Sequence, residues 1–351
     1  SFKEKFRQRY DRRRIPLLLA TDEESGISVA DVRDDTAPIL DGMPFGRQKR
    51  ASIELGAMEL FLFAKLEHAI ASKERVVRLD PADFPGPKSP DKSVPQFLSA
   101  MFSLVQLAGE ERPHIILNSL SGPSGASLIG RFCHGSEALC TATQAFLAAE
   151  AASDLDACYA EITHLPQGRI GNISARPLLR DHEIVFRARS GAKIEQQLTL
   201  SDLSLQLDGN ELTLWSDTIG KRVVPRLTCA HNITQDTIGA YRLLGLLQHE
   251  GYRSLHFGWG SLANVAGFLP RLVCGQTIFS LARWRLIKSE IDEVSKHPDG
   301  GVTGMQELRK RRGLDTIVGL VDGDNVLRIS TTNADSVTNF LSLVATRDFC
   351  I

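Results

Sequence analysis

The stretch LSLQLDGNELTLW, residues 203–215, sets the character of the second half of the chain. Apolar and polar residues alternate on both sides of Asp208-Gly209-Asn210, and that trio is turn chemistry. A period of two sends one face of each arm toward a core. The segment therefore reads as a β-hairpin. Around it, AEITHL, HEIVFRA, KIEQQLTL and VVPRLTCA read as further strands. FLPRLVCGQTIFSLARWRL folds back around Cys274-Gly275, and LVDGDNVLRIS around Asp322 to Asn325. A helix from Asp236 to Glu250 interrupts them, with Gly251 in the position that closes it.

The first half has a different texture. Residues 50–72 place Ile53, Met58, Phe61, Leu66 and Ile70 at helical spacing. Residues 136–152 form an Ala-rich helix with Ser136 as its N-cap. Residues 76–80 and 114–120 are strands, and 84–95, with four prolines, is a loop. IPLLLA is a short buried strand or a turn of helix, and TDEESGI is a loop. The expected fold is α+β: a helical and mixed part over 1–155, then an antiparallel, sheet-rich part with several hairpins over 156–351. The chain opens on Ser1 and ends on the apolar DFCI. The expectation is that both parts belong to a fragment of one larger domain.

Composition excludes several classes. Apolar residues make up 42% and charged residues 24%, which is ordinary for a soluble globular protein. The net charge is -1, so any anion binding is local rather than global. Six cysteines, without a C-x-x-C pair, fit a reducing cytoplasmic setting. No apolar run reaches membrane-spanning length, and no signal peptide is visible. No metal site is expected, because neither zinc-ligand spacing nor H-E-x-x-H occurs. SGPSGASLIGR (121–131) lacks the Gly-Lys-Ser/Thr ending of a phosphate loop and the spacing of a dinucleotide site. Ser124 has no nucleophile elbow around it.

One stretch stands out. HLPQGRIGNISARPLLRDHEIVFRAR, residues 164–189, carries Arg169, Arg176, Arg180, Arg187 and Arg189 against Asp181 and Glu183. Pro166, Gly168, Gly171 and Pro177 break it into turns, where guanidinium suits two-point recognition of carboxylate or phosphate. The alternative is a set of ion pairs to acids elsewhere in the chain. VVPRLTCAHN adds Arg226, His231 and Asn232 at a strand end, and the 268–286 stretch adds Arg271, Arg283 and Arg285. Arginine among apolar strand residues is costly without a partner, either a ligand or an internal acid. The basic start, SFKEKFRQRYDRRR, is either an anion-binding arm or a solvated helix.

HLPQGRIGN followed by ARPLLRDHEI, VVPRLTCAHN, LQHEG, FLPRLVCG and SLARWRL, in that order, resembles the lantibiotic dehydratase family. FRQRYDRRRIPLLLATDEESGI, SGASLIGRFCHG and VDGDNVLRIS extend the likeness over nearly the whole chain. The likeness is to the latter part of the family's N-terminal glutamylation domain. It implies transfer of glutamate from glutamyl-tRNA to Ser or Thr of a ribosomally made precursor peptide. A separate elimination domain or protein then leaves a dehydroamino acid. Glutamyl-tRNA is the implied co-substrate, with no bound cofactor, and the setting is cytoplasmic.

By that resemblance Arg169, Arg180, His231 and Asp22 are catalytic candidates. Arg176, Asp181, Arg226, Asn232, Arg283 and Arg285 are candidates for substrate or tRNA binding. Phosphates, a glutamyl carboxylate and a developing oxyanion all call for guanidinium or oriented N–H donors. His231 would shuttle a proton, or else simply bond to backbone. The base that takes the Ser or Thr proton stays open between Asp, His and the substrate itself. Two other readings stand beside this one. One is a non-catalytic scaffold that presents the precursor peptide. The other is a peptide ligase that uses a different aminoacyl-tRNA.

Overall fold

The computed structural model describes residues 1–29, 56–84, 91–107, 109–165, 171–229, 231, 233, 238–253, 255, 257–322 and 325–351. The 203–215 hairpin is present. Leu203–Asp208 pairs antiparallel with Glu211–Ser216, Asp208 opposite Glu211. Gly209 takes φ 60° in the turn, a conformation that glycine enters without steric cost. Leu203, Leu205, Leu207, Leu212 and Leu214 are all buried in one core. Each contributes on the order of 1.5–3 kcal/mol through burial, so a one-residue slip, which would turn all five outward, is strongly disfavoured.

The hairpin belongs to a seven-stranded sheet. Its order is Ile15–Pro16, Leu203–Asp208, Glu211–Ser216, Lys221–Arg226, Ala157–Thr163, His182–Val185 and Gln197–Thr199. The first four strands pair antiparallel, and the last three pairings are parallel. Helix Gly239–Leu247 buries Tyr241, Leu243, Leu244 and Leu247 in the same core as the hairpin leucines. Within the basic start, helix Phe2–Tyr10 is capped by Ser1 and buries Phe6 and Tyr10 there too. Leu17–Ala20 follows as one helical turn. A smaller cluster of Ala126, Cys133, Leu147 and Leu179 seats helix Glu137–Ala152, whose N-cap is Ser136.

A second sheet has the order Val76–Leu79, Arg271–Cys274, Thr277–Ser280, His114–Ser121, Ser99–Val105. The expected hairpin at Cys274-Gly275 is there, Gly275 at φ 54°. Trp259, Leu262, Leu269 and Leu272 pack with Leu62 and Leu66 of helix Ala57–Ala71. Helices Lys288–Ser295, Val302–Arg312 and Ala334–Val344 enclose another core with the Ile317–Asp322/Asn325–Ser330 hairpin.

The fold is α+β, with both sheets mixed. Two compact units are defined by contacts. One gathers 1–49, 87–101 and 119–255; the other gathers 50–86, 102–118 and 256–351. A boundary at 155/156 would run through the first, because the 15–16 strand pairs with 204–205 and Glu150 bonds Arg180 and Arg226. The helix expected over 236–250 is shorter, Gly239–Leu247, and Gly251 sits at φ 80° beyond it. Residues 236 and 237, the start of the 50–72 helix and residues 85–90 of the proline loop lie outside the described residues. Among the described residues no helix is long and apolar enough to cross a membrane.

Candidate functional site

Three of the arginines singled out in the sequence converge, and they do so on glutamates. The sheet register explains why. Arg226, Glu161 and Glu183 are successive cross-strand neighbours in one row of the first sheet. Two like charges directly opposite repel. Arg176 clamps both: its Nε donates to Glu161 Oε1 at 3.0 Å and its Nη1 to Glu183 Oε1 at 3.0 Å. Glu150, from helix 137–152, accepts from Arg180 Nη2 at 2.6 Å and from Arg226 Nε at 3.1 Å. Arg180 Nε lies 3.6 Å from Glu161 Oε2.

All six side chains are at least nine-tenths buried, and three positive charges balance three negative ones. The remaining lone pairs are largely used. Thr228 gives Glu161 both its backbone N–H (2.8 Å) and its hydroxyl (2.9 Å). Ser190 and the Gly191 N–H serve Glu183, and Ser124 serves Glu150. The guanidiniums of Arg226 and Arg180 lie 5.3 and 5.9 Å from the ring centroid of Tyr159. Burial opposes the charge on Arg176, but Glu161 and Glu183 outweigh it and its pKa is raised. At Arg226 burial wins over Glu150 and the pKa is lowered.

The internal ion-pair alternative thus holds for Arg176 and Arg226, which present no open guanidinium to an anion. Arg180 differs. Its Nη1 is buried without a hydrogen-bond partner, and the residue lines a cavity of about 540 Å³ with Asp181, His182, Cys158 and Lys221. Asp181 is exposed beside it. Burial pushes the Cys158 thiol up to about 11, so it rests protonated.

Asp22 is folded into its own turn. Its Oδ1 accepts from the N–H groups of Glu24 and Ser25 and from the Ser25 hydroxyl. These bonds, the Ser25 backbone first, hold its pKa below the ordinary carboxylate value. Arg9 pins the same turn through the carbonyls of Ser25 and Gly26. A Cβ on Gly26 would lie 2.5–2.7 Å from backbone atoms of Leu19 and Asp22, so the turn needs glycine. His231 Nδ1 is 2.7 Å from the Tyr241 hydroxyl, and the Tyr241 ring packs 4.2 Å from that of His164. Arg169 and Asn232 lie outside the described residues.

In the other unit Arg283 lies on the two-residue strand Arg283–Trp284, and Arg285 follows it. Arg285 donates to the Asn264 carbonyl and sits 3.9 Å above the Phe349 ring. Arg283 is half-buried, and burial, then Arg285, lowers its pKa. It has no ion-pair partner among the described residues.

The acids Glu150, Glu161 and Glu183, and the Tyr241–His164 pair, escaped sequence reasoning. Glu150 carried a signal: it is the one charge in the apolar run AFLAAEAA. Among the described residues no group of three or more His, Cys, Asp or Glu could hold a metal ion.

No curated protein matches this sequence. Among solved structures the fold is similar to that of the tRNA dependent lantibiotic dehydratase MibB from Microbispora sp. 107891. The identity is 21% and the TM-score 0.78, covering 99% of this chain and 34% of MibB. It is also similar to the glutamylation domain of TbtB from thiomuracin biosynthesis, at 19% identity and TM-score 0.60, covering 99% of this chain and 43% of that domain's chain. The same domain bound to 5'-phosphodesmethylglutamycin gives 19% and 0.59. The chain therefore spans less than half the length of either, and at these identities the likeness is one of fold. The sequence itself matches the family described as "Lantibiotic dehydratase, N terminus" over residues 1–340. With the ordered motifs and the α+β fold, that match means the chain belongs to the lantibiotic dehydratase N-terminal family.

Proposed function

We propose that this chain is part of a domain that moves glutamate from glutamyl-tRNA onto Ser or Thr of a ribosomally made precursor peptide, ahead of elimination. The observation that carries this reading is the family match across residues 1–340. The likeness in fold to MibB and to the TbtB glutamylation domain supports it. The setting is cytoplasmic, in keeping with six free cysteines. A further domain or protein performs the elimination.

The chemistry exchanges one ester for another. The Ser or Thr oxygen attacks the glutamyl carbonyl carbon, the new C–O bond forms, and the bond to the tRNA ribose breaks. The hydroxyl proton ends on the departing ribose oxygen. The exchange makes one ester as it breaks another, so positioning and stabilisation of the transient oxyanion are what the protein supplies. In this reading Arg176 and Arg226 are positioning residues: Arg176 ties the 157–163 and 182–185 strands together through Glu161 and Glu183, and Arg226 holds helix 137–152 to the sheet through Glu150. Arg180, with Nη1 unclaimed, is the member of that group able to reach an anion. His231, held by Tyr241, is the proton shuttle. Asp22 orders the turn beside the start of helix 239–247, where Gly239 approaches the Thr21 carbonyl.

The test incubates the full-length enzyme with precursor peptide and glutamyl-tRNA, and follows glutamyl adducts by mass spectrometry. Adducts on Ser and Thr are expected. RNA binding should weaken steeply with salt as phosphate contacts release counterions. An unmodified peptide with glutamyl-tRNA, but a modified one with another aminoacyl-tRNA, would replace this reading with the ligase one. Peptide binding without any tRNA binding would replace it with the scaffold.

A further inference from the structure

Strands 221–226, 157–163 and 182–185 run parallel, so this part of the first sheet has an amino end and a carboxyl end. Arg226 and the chain leading to His231 lie at the carboxyl end. The cavity of about 540 Å³ lies at the other, where Ala157, His182 and Lys221 each begin a strand. Helix 137–152 and Leu178 supply much of its apolar side, and Gln144 Nε2 ties the two together by donating to the Leu178 carbonyl at 3.0 Å. Charges of both signs share this cavity. Arg180 brings a buried Nη1 with no hydrogen-bond partner. Lys221 and Asp181 are exposed, and both act on the Cys158 thiol, which sets them around one spot. They form no ion pair with each other. Lys221 Nζ donates to the Leu155 carbonyl at 3.0 Å, and Asp181 has no partner among the described residues.

We propose that this cavity binds a free amino acid with an apolar side chain. Its carboxylate meets Lys221 and Arg180, its ammonium meets Asp181, and its side chain lies on the Leu147, Leu178 and Ile219 wall. The ligand thereby supplies the acceptor that Arg180 Nη1 lacks. Other small molecules fit the charges less well. A phosphate or a fatty acid would set its negative charge against Asp181, and a polyamine would set its positive charge against Arg180 and Lys221; like charges brought together are costly. A polar zwitterion would leave the exposed Leu178 without apolar contact. A peptide would not serve either, because its free ammonium and its free carboxylate belong to different residues. An apolar wall with a few convergent polar groups is what a small-molecule site needs. The inference goes beyond glutamyl transfer, since this ligand is neither acyl donor nor acceptor.

Equilibrium dialysis of tritiated L-leucine against the full-length enzyme, with neither tRNA nor precursor peptide, tests it. Three competitors each lack one feature. 4-Methylpentanoate lacks the ammonium, 3-methylbutylamine lacks the carboxylate, and L-asparagine replaces the apolar side chain with a polar one of similar size. Each should compete about tenfold more weakly than unlabelled leucine, as loss of one charge-assisted contact provides. Asp181→Asn should erase the advantage of leucine over 4-methylpentanoate, and Lys221→Gln should narrow its advantage over 3-methylbutylamine. Both side chains are exposed, so the fold is retained. Ala148→Trp, an exposed helix position on the cavity wall, should block leucine by filling the space. Absence of leucine binding would overturn the inference, and so would 4-methylpentanoate competing as well as leucine. A leucine advantage that survives Asp181→Asn, or binding unchanged by Ala148→Trp, would overturn it too. Because no acyl donor is present, failure here leaves glutamyl transfer untouched, and loss of transfer leaves this binding measurable.

Discussion

Arginine is treated in opposite ways in the two units. In the first, Arg176, Arg180 and Arg226 are buried, and three glutamates neutralise them within hydrogen-bonding reach. In the second, Arg271 and Arg283 line a mostly apolar cavity and have no ion-pair partner among the described residues. The same residue type is therefore a fastener in one place and an unsatisfied charge in the other. The difference teaches what each guanidinium has left to offer: Arg176 and Arg226 are spent on glutamates, Arg180 keeps its Nη1 unclaimed, and Arg271 and Arg283 have no ion pair among the described residues.

The sharpest way to break this comparison is Glu150→Ala. It strips the carboxylate from Arg180 and Arg226 together, and should destabilise the first unit by about 3–5 kcal/mol, since an unpaired buried charge is left behind. Urea unfolding followed by amide exchange in the 157–163 and 221–226 strands would read it. A loss below about 1 kcal/mol would mean the network is not closed in solution. Next comes Gly130→Ala. A Cβ there would lie 2.5 Å from Thr228 Oγ1 and 2.7 Å from its carbonyl oxygen, pushing on the residue that satisfies Glu161. About 1–3 kcal/mol is expected from such overpacking, measured by thermal melting.

A pH series gives a test in which the two units should agree. Burial raises Cys158 and Cys350, one in each unit, from 9.0 to about 11. Between those values the folded thiols stay protonated while the unfolded ones ionise. Their contribution is therefore full below pH 9 and lost as pH rises toward 11. With both residues buried, about 2–3 kcal/mol per residue is an upper bound. Melts at pH 8 and pH 10.5, with C158S and C350S as controls, would show equal sensitivity. The smallest effect belongs to the unpaired guanidiniums. Arg271→Gln and Arg283→Gln should each change stability by no more than about 0.5 kcal/mol, because no partner is lost. A larger destabilisation by either would mean that guanidinium already has a partner in solution.

What was legible in the sequence was local. The 203–215 hairpin, the Cys274-Gly275 turn and the Ser136 cap follow from a few adjacent residues, and each is present. The parallel pairings of 157–163 were not legible. They join strands far apart in the chain, and alternation says nothing about which neighbour a strand will take. The sites divide the same way. Side-chain type flagged the arginines, but their partners lie 30 and 76 residues away for Glu150 and 15 for Glu161. Position along the chain could not tell a neutralised guanidinium from a free one.

The span between Glu150 and Arg226 has a consequence for how this protein is made. The carboxylate leaves the ribosome 76 residues ahead of the guanidinium that will share it. At ordinary elongation rates that interval is about 4–15 s. Throughout it, helix 137–152 cannot dock with its acid fully matched. The nascent chain must keep this face wet until the last arginine emerges, so completion of the first unit waits on translation through residue 226.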